Sequence, residues 1–522
     1  MNFLVIKKIS ALFFFKTLFL IAFSFISYFS FSQQIYFNNR YDFQNTSWNG
    51  GLGIVAVNDG YIICGSAGDT TSFGYYRTTI TKIDTLGVKI WDKSYGKSGY
   101  DSYSGYPIKT IDGNFAIGNS FTDYTSSPSQ NKVQLIKFDS NGDTLWTKKY
   151  GSTNIFYAGY MCKQKSNGTY VITGAKSIGA GNDNVLLIKT DSDGNKIWEK
   201  NYGGAAIDYG WSVDICNDGG YIIGGFTSSY GAGDYDTYII KTDSTGNFQW
   251  QKTFGGSYFD NPGFVIASAN DSSYVIACGL SVSIFPGNFW QSKPRIIKID
   301  NSGNLQWSKL YGPARYGATL CSIRELQDGS YIVAGQTADT NGTPQGNGFP
   351  DGIVIKTSAI GDSIWYRMFD KLSGNQSQNY LRDLLYTTDG GIVSCGFTIP
   401  ASPDTGTEDT WLIKLDGCGC LFANCDTACS VTGIPEIENA NSITVFPNPT
   451  SNLVNFYFNL PLSKEQVNLI MYDMNGKKVK DMSGINYEKE KSINISDLPN
   501  GLYFYSLHTS KTIINGKIII QH

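Results

Sequence analysis

One phrase recurs seven times between Gly65 and Lys414, and few folds are open to a chain built this way. Its clearest copy is Asp218-Gly-Gly-Tyr-Ile-Ile-Gly-Gly225, followed by Ile240-Lys-Thr-Asp-Ser-Thr-Gly246 and then Trp250. The closing glycine returns at Gly65, Gly118, Gly174, Gly225, Gly279, Gly335 and Gly396, and the lysine at Lys82, Lys137, Lys189, Lys241, Lys298, Lys356 and Lys414. A period of 51 to 61 residues, made of short β-rich runs, indicates propeller blades rather than a helical solenoid.

Each unit has room for four strands. In the fourth these are Trp211–Asn217, Tyr221–Thr227, Asp236–Thr242 and Phe248–Phe254, here called A to D. B and C each carry a β-branched and aromatic Tyr-Ile-Ile run, as strands covered on both faces do. Asn217-Asp-Gly-Gly220 is a tight A–B turn and Asp243-Ser-Thr-Gly-Asn247 a C–D turn. The repeat lysine lies nine residues before Trp91, Trp146, Trp198, Trp250, Trp307 and Trp365, so the C–D hairpin keeps one register. The seventh unit has no such tryptophan. The segment Gln34-Ile-Tyr-Phe-Asn-Asn-Arg-Tyr41 lies at the right distance to supply its fourth strand, Ile35–Asn39 beside Leu412–Leu415, and so to close the ring.

The gap from repeat glycine to repeat lysine varies from 15 to 21 residues. The B–C loops inside it and the D–A links share one face, opposite the fixed turns, and binding groups concentrate in such loops. This variable face carries rings beside polar groups: Trp48, Tyr209, Trp211, Tyr230, Tyr235, Tyr258 with Asp260, and Phe285, Phe289 and Trp290. Planar rings beside Asp suit sugar or peptide ligands.

Composition narrows the chemistry. Only two histidines exist, His508 and His522, so the repeats work without imidazole, which removes Ser-His-Asp triads, Cys-His dyads and most zinc sites. Net charge is −3 with 16% charged residues, which gives no nucleic-acid footprint. Asp191-Ser-Asp-Gly-Asn195 and Asp139-Ser-Asn-Gly-Asp143 space oxygens like a calcium loop, but they lack its later Glu and occupy the fixed turn. The Asp-x-x-Gly-x-x-x-Trp phrase resembles the tryptophan-docking motif of quinoprotein propellers, one residue short, and misses the sialidase Asp-box by one. No adjacent Cys pair or arginine cluster accompanies it, so no metal and no cofactor are implied. Cys418, Cys420, Cys425 and Cys429 cluster after the last repeat and are disulfide candidates.

The two ends have a different grammar. Lys7 and Lys8, the apolar run from Ala11 to Phe31 and the small residues Ser30-Phe31-Ser32 form a signal-peptide pattern, with no later stretch long and apolar enough to span a membrane. From Ser442 onward, alternating strands separated by Asn475-Gly476 and Pro499-Asn-Gly501 turns suggest a small β-sandwich. Phe446-Pro447-Asn448-Pro449, Tyr472-Asp-Met-Asn475-Gly476, Leu498-Pro-Asn-Gly501-Leu-Tyr503 and Gly516-Lys517-Ile-Ile-Ile520 closely resemble the C-terminal sorting domain of type IX (Por) secretion cargo in Bacteroidetes. The resemblance implies Sec export, recognition by the outer-membrane type IX translocon, and a product released or held at the cell surface.

The sequence therefore reads as all-β: a signal peptide (1–32), a seven-bladed β-propeller closed by its N-terminal strand (33–417), a Cys-rich linker (418–441) and a β-sandwich sorting domain (442–522). The functional expectation is a secreted or cell-surface protein that binds glycan or protein through the variable face, rather than an enzyme. The alternatives are a polysaccharide-acting enzyme with carboxylates near the channel, and a structural coat protein.

Overall fold

The computed structural model describes residues 35–43, 48–68, 75–96, 98–268, 270–285, 289–338, 349–372, 377–401, 407–422, 442–446, 450–459, 466–474, 476–486, 490–508 and 513–522. The signal-peptide reading, Cys425, Cys429, Pro447–Pro449 and Asn475 lie outside them. The chain divides into two compact units, up to Thr432 and from Gly433. No described helix is long and apolar enough to cross a membrane.

In the first unit the described strands form seven sheets, each of four or five strands. The fourth sheet runs Asp208–Ile215, Tyr221–Thr227, Asp236–Thr242 and Phe248–Phe254, so three strands fall where the sequence put them and the first begins three residues earlier. The seven A strands pack on one another in a closed cycle, from Asn49–Val57 through each sheet to Gln378–Tyr386 and back. This cyclic packing is the architecture of a β-propeller. The last sheet takes its outer strand from the N-terminus: Phe37 pairs with Lys414 and Tyr41 with Thr410.

The repeated residues each have a mechanical task. The repeat lysine reaches across strand B to the A–B turn, where Lys82, Lys137, Lys241, Lys298 and Lys414 pair with Asp59, Asp112, Asp218, Asp271 and Asp389. Lys241 is 2% exposed. Its ammonium donates to Asp218 at 2.7 Å, the Thr242 carbonyl at 2.9 Å and Gln249 at 3.0 Å, which uses all three N–H groups.

The repeat tryptophan pairs across the hairpin with the repeat lysine, Trp250 opposite Lys241 and likewise in the other five units. Its ring lies on the C–D turn glycine of the following blade. A Cβ on Gly142, Gly194, Gly246, Gly361 or Gly419 would come within 2.7 to 2.9 Å of Trp91, Trp146, Trp198, Trp307 or Trp365. Four residues further on, a tyrosine hydroxyl donates to that glycine's carbonyl: Tyr150 to Gly194 at 2.7 Å, Tyr202 to Gly246 at 2.6 Å and Tyr311 to Gly361 at 2.7 Å, with Tyr95 bonded likewise to Gly142. The N-terminal strand carries the same pair. Phe37 stands opposite Lys414 as a tryptophan would, a Cβ on Gly87 would meet its ring at 2.9 Å, and the Tyr41 hydroxyl donates to the Gly87 carbonyl at 2.6 Å.

The second unit has a three-stranded sheet (Ser442–Phe446, Leu453–Asn459, Glu490–Asn494) and a four-stranded one (Lys478–Asn486, Gln466–Tyr472, Gly501–His508, Ile513–Ile520). Val454, Phe456 and Ile493 from the first share a core with Leu469, Met471, Leu507 and Ile518 from the second, which makes a β-sandwich. Gly476 turns the chain at φ 77°, and the Tyr503 hydroxyl donates to the Pro499 carbonyl at 2.9 Å. Gly501 and Lys517 are exposed.

The interlock between blades can be isolated with two glycines of matching backbone. Gly219 and Gly246 have φ of 77° and 78°, but a Cβ meets nothing nearer than 3.6 Å at the first and the Trp198 ring at 2.7 Å at the second. Gly219→Ala is expected to cost about 1–2 kcal/mol for the left-handed backbone alone, and Gly246→Ala about 1–3 kcal/mol more from the collision. Denaturant unfolding of both variants decides it; equal losses would remove the interlock from the account.

Candidate functional site

Strand A is interrupted by one extra residue in every blade, opposite the repeat glycine. The register skips between Gly51 and Gly53, Gly159 and Met161, Gly210 and Ser212, Asn261 and Phe264, Leu320 and Ser322, and Leu381 and Asp383. In the second blade the strand is split, Tyr100–Tyr103 from Pro107–Lys109. The bulge residues are Leu52, Tyr160, Trp211, Cys321 and Arg382, with Pro262 and Gly263 together in the fifth blade; in the second, Ser104, Gly105 and Tyr106 lie between the two pieces, and Tyr106 bridges to Met161 of the next blade. Such a bulge pushes strand A onto strand B, which explains the repeat glycine. A Cβ at Gly65, Gly174, Gly225, Gly335 or Gly396 would lie within 1.7 to 2.1 Å of a strand A carbonyl oxygen.

The bulge residues line the axis. Leu52, Tyr106, Tyr160, Trp211, Pro262 and Arg382 keep partial exposure within strands that are otherwise largely buried. Tyr160 stacks on Trp211 at 4.4 Å and 14°. The Arg382 guanidinium donates to the Cys321 sulfur at 3.5 Å. Tyr106 meets Phe264 of the fifth blade edge-on at 5.7 Å, so side chains cross the channel.

Around the mouth on the variable face, rings gather in groups. Tyr380 stacks on Phe397 at 4.7 Å, Trp48 meets Tyr76 at 4.9 Å, and Tyr76 meets Tyr103 at 4.6 Å. Tyr209–Phe226, Phe226–Tyr235 and Tyr235–Phe259 each lie at 5.1 Å. Most carboxylates among them hold the scaffold. Asp101 accepts from the Tyr76 N–H and the Tyr124 hydroxyl, both at 2.8 Å. Asp183 accepts from the Tyr209 hydroxyl at 2.9 Å, and Asp208 from the Gly204 N–H at 2.7 Å and the Ser229 hydroxyl at 2.8 Å. Glu408 differs. Its carboxyl takes a hydrogen bond from the Trp48 side chain, Oε1 is buried without a partner, and burial pushes its pKa up to about 7 against the pull of Trp48 and the Arg382 charge.

The sequence-derived candidates separate into groups. Trp48, Tyr209, Trp211 and Tyr235 belong to the rings of the mouth and channel. Tyr230 donates to the Gly203 carbonyl at 3.0 Å and rests against Tyr238, further out on the same face; Tyr258 is half-buried in the next D–A link. Asp260 is fully buried, and its carboxylate accepts the Gly256 N–H at 2.7 Å and the Ser281 N–H at 2.6 Å. It shapes the link rather than meeting a ligand, and burial raises its pKa to about 6. Phe285 and Phe289 pair as the last rung of a hairpin, with Ile284 opposite Trp290; the side chains at 285, 289 and 290 are outside the description. Sequence reasoning missed Tyr76, Tyr103, Tyr106, Tyr160, Phe226, Tyr380, Arg382, Phe397 and Glu408. The signal available for the channel members was their place some 12 to 17 residues before each repeat glycine.

The opposite face offers less. A cleft of about 580 Å³ there is lined by Asp218, Lys241, Gln249 and Trp250, whose lysine is fully paired. In the calcium-like turns, the Asp191 carboxylate accepts the N–H groups of Asp193 and Asn195 at 2.9 and 2.8 Å, which is the work of a turn. Six cysteines, Cys64, Cys162, Cys216, Cys278, Cys321 and Cys395, are free and buried. The seventh C–D turn closes from Asp416 to Cys420 around Gly419, so Cys418 and Cys420 belong to the blade.

Residues 444–521 match the family described as the secretion system C-terminal sorting domain. The second unit is thus a type IX sorting domain, the address of a protein destined for secretion and the outer cell surface. No curated protein matches the chain in sequence. Similar solved structures include a phage phi92 endosialidase (TM-score 0.43, 9% identity, 87% of this chain and 80% of that one) and the polysaccharide lyase Uly1 (0.43, 8%, 72% and 91%). The β-propeller domain of the Trilobed protease from Pyrococcus furiosus is a third (0.36, 9%, 69% and 93%).

Glu408 gives a test by titration. Its folded pKa, about 7, lies above the ordinary 4.5, so its contribution to stability is complete below pH 4.5 and is lost as pH rises through 7. From pH 4.5 to 8 the wild type is expected to lose about 2–3 kcal/mol that Glu408→Gln does not lose. Parallel unfolding profiles for the two proteins would contradict the burial described here.

Proposed function

We propose that this is a type IX-exported, secreted or surface-held binding propeller that engages glycan, or failing that protein, at the mouth on its variable face. One observation carries the reading: rings gather in three groups on this side of the propeller, Tyr380 with Phe397 in the seventh blade, Trp48, Tyr76 and Tyr103 across the first and second, and Tyr160, Trp211, Tyr209, Phe226 and Tyr235 across the third and fourth. Flat apolar faces bounded by hydroxyls and carboxylates match the C–H faces and hydroxyl rims of sugars. Binding is favoured over hydrolysis because Asp101, Asp183, Asp208 and Asp260 are spent on tyrosines, hydroxyls and backbone N–H groups. Glycoside hydrolysis commonly uses two carboxyls acting across a bond, and of the carboxyls described above only Glu408 keeps a buried oxygen without a partner. The leader at residues 1–32 starts export, and the sorting domain hands the chain to the outer-membrane translocon. Cys418 and Cys420 are buried beside Gly419, a place from which disulfides would pin the exit of the last blade.

A glycan array probed with the full chain, followed by titration of the best ligand with Trp211→Ala and Tyr76→Ala, tests the proposal. Each variant is expected to bind at least ten-fold more weakly than wild type, while Trp250→Ala on the opposite face keeps its affinity once folding is confirmed. Affinity unmoved by both mouth variants would place the ligand elsewhere.

A further inference from the structure

The arginines near the seventh blade are treated unequally. Arg40 is ion-paired to Asp409 at 2.6 Å and Arg324 to Asp383 at 2.7 Å. Arg382, on the bulge beside Asp383, makes no close ion pair among the described residues; Glu408 feels its charge without reaching it. Its contacts are the Cys321 sulfur at 3.5 Å and the rings of Tyr380 and Phe397, whose centroids lie 5.1 and 5.3 Å from the guanidinium carbon. Its Nε is buried with no hydrogen-bond partner, while the residue as a whole keeps a minor exposure on the axis. The neighbouring carboxylate is committed elsewhere: Asp383 holds Arg324 and the Ser322 hydroxyl at 2.7 Å and the Ile54 N–H at 3.1 Å.

A guanidinium taken into a channel with no anion at hydrogen-bond distance bears a desolvation cost that a thiol, two ring faces and the more distant Glu408 do not fully offset. The rings fix the plane of the fork and leave its edge for an oxyanion, the geometry in which arginine binds carboxylates and phosphates best. Trp211, another bulge residue of the channel, likewise has its indole N–H buried without an acceptor.

We infer that the propeller axis binds one anionic group of a saccharide, a uronic carboxylate or a sulfate ester, with Arg382 receiving the oxyanion and the rings of the mouth holding the sugar that bears it. This rests on the glycan reading above and adds the charge of the ligand. The remaining donors of the fork meet two oxygens of the group. The adjacent Tyr380 and Phe397 faces exclude water from the pair, which strengthens it.

Calorimetric titration of the full chain with oligogalacturonate, its carboxyl-reduced neutral counterpart and a sulfated galactan oligosaccharide tests this. Wild type is expected to bind one of the two acidic probes at least ten-fold more tightly than the neutral one, and which probe wins identifies carboxylate or sulfate. Arg382→Gln should abolish that ratio and leave the neutral probe's affinity within two-fold, while Arg382→Lys keeps part of it. Equal binding of acidic and neutral probes by wild type overturns the inference and leaves the glycan reading standing, whether or not Arg382→Gln folds. A preference that survives Arg382→Gln also overturns it. No binding of any saccharide here or on the array removes both readings together.

Discussion

Everything in the first unit depends on how one blade grips the next. An aromatic ring on the outer strand lies flat on a glycine of the following C–D turn, and in most blades a hydroxyl four residues later captures that glycine's carbonyl. The glycine is required twice, for its left-handed φ and for the absence of a side chain under the ring. The turn itself is rigid, because the aspartate that opens it accepts backbone N–H groups two and four residues on, as Asp243 does from Thr245 and Asn247 at 2.8 Å. A rigid turn, a fixed hairpin register and a flat ring give each junction the same geometry, so the array curves evenly until it meets itself. Phe37 and Tyr41 complete the set by performing, from the other end of the chain, the task that the seventh unit has no tryptophan to perform.

Much of this was written in the sequence because it repeats. The unvarying count from lysine to tryptophan is the register that pairs Lys241 with Trp250, and the repeat glycine marks where two strands touch. The bulge column was harder to see for a physical reason. Leu52, Tyr106, Tyr160, Trp211, Pro262, Cys321 and Arg382 share a position and no chemistry, since a residue expelled from the ladder is constrained by neither strand. Only Trp211 was picked out, on residue type. Asp260 shows the converse error: a charged residue in a variable link looked available, yet its carboxylate organises backbone. Burial and hydrogen-bond satisfaction are properties of three-dimensional neighbours, and sequence gives them only where a motif forces them.

The second unit was legible for another reason. Its motifs are turn signals at fixed spacing, and Gly476, Tyr503 and the buried alternation of Ile518 and Ile520 show what they specify, a small sandwich with one shared core. That unit tells where the chain goes.

The interruption in each inner strand also separates two kinds of evolutionary freedom. Because the expelled residue lies outside its own ladder and apart from the ring-on-glycine joints, it can be exchanged while the joints that keep the wheel round stay in place. Seven such places, arranged about a single axis, form a palette that natural variation can repaint one spot at a time. Relatives with the same joints and different colours at those spots would be expected to greet different partners.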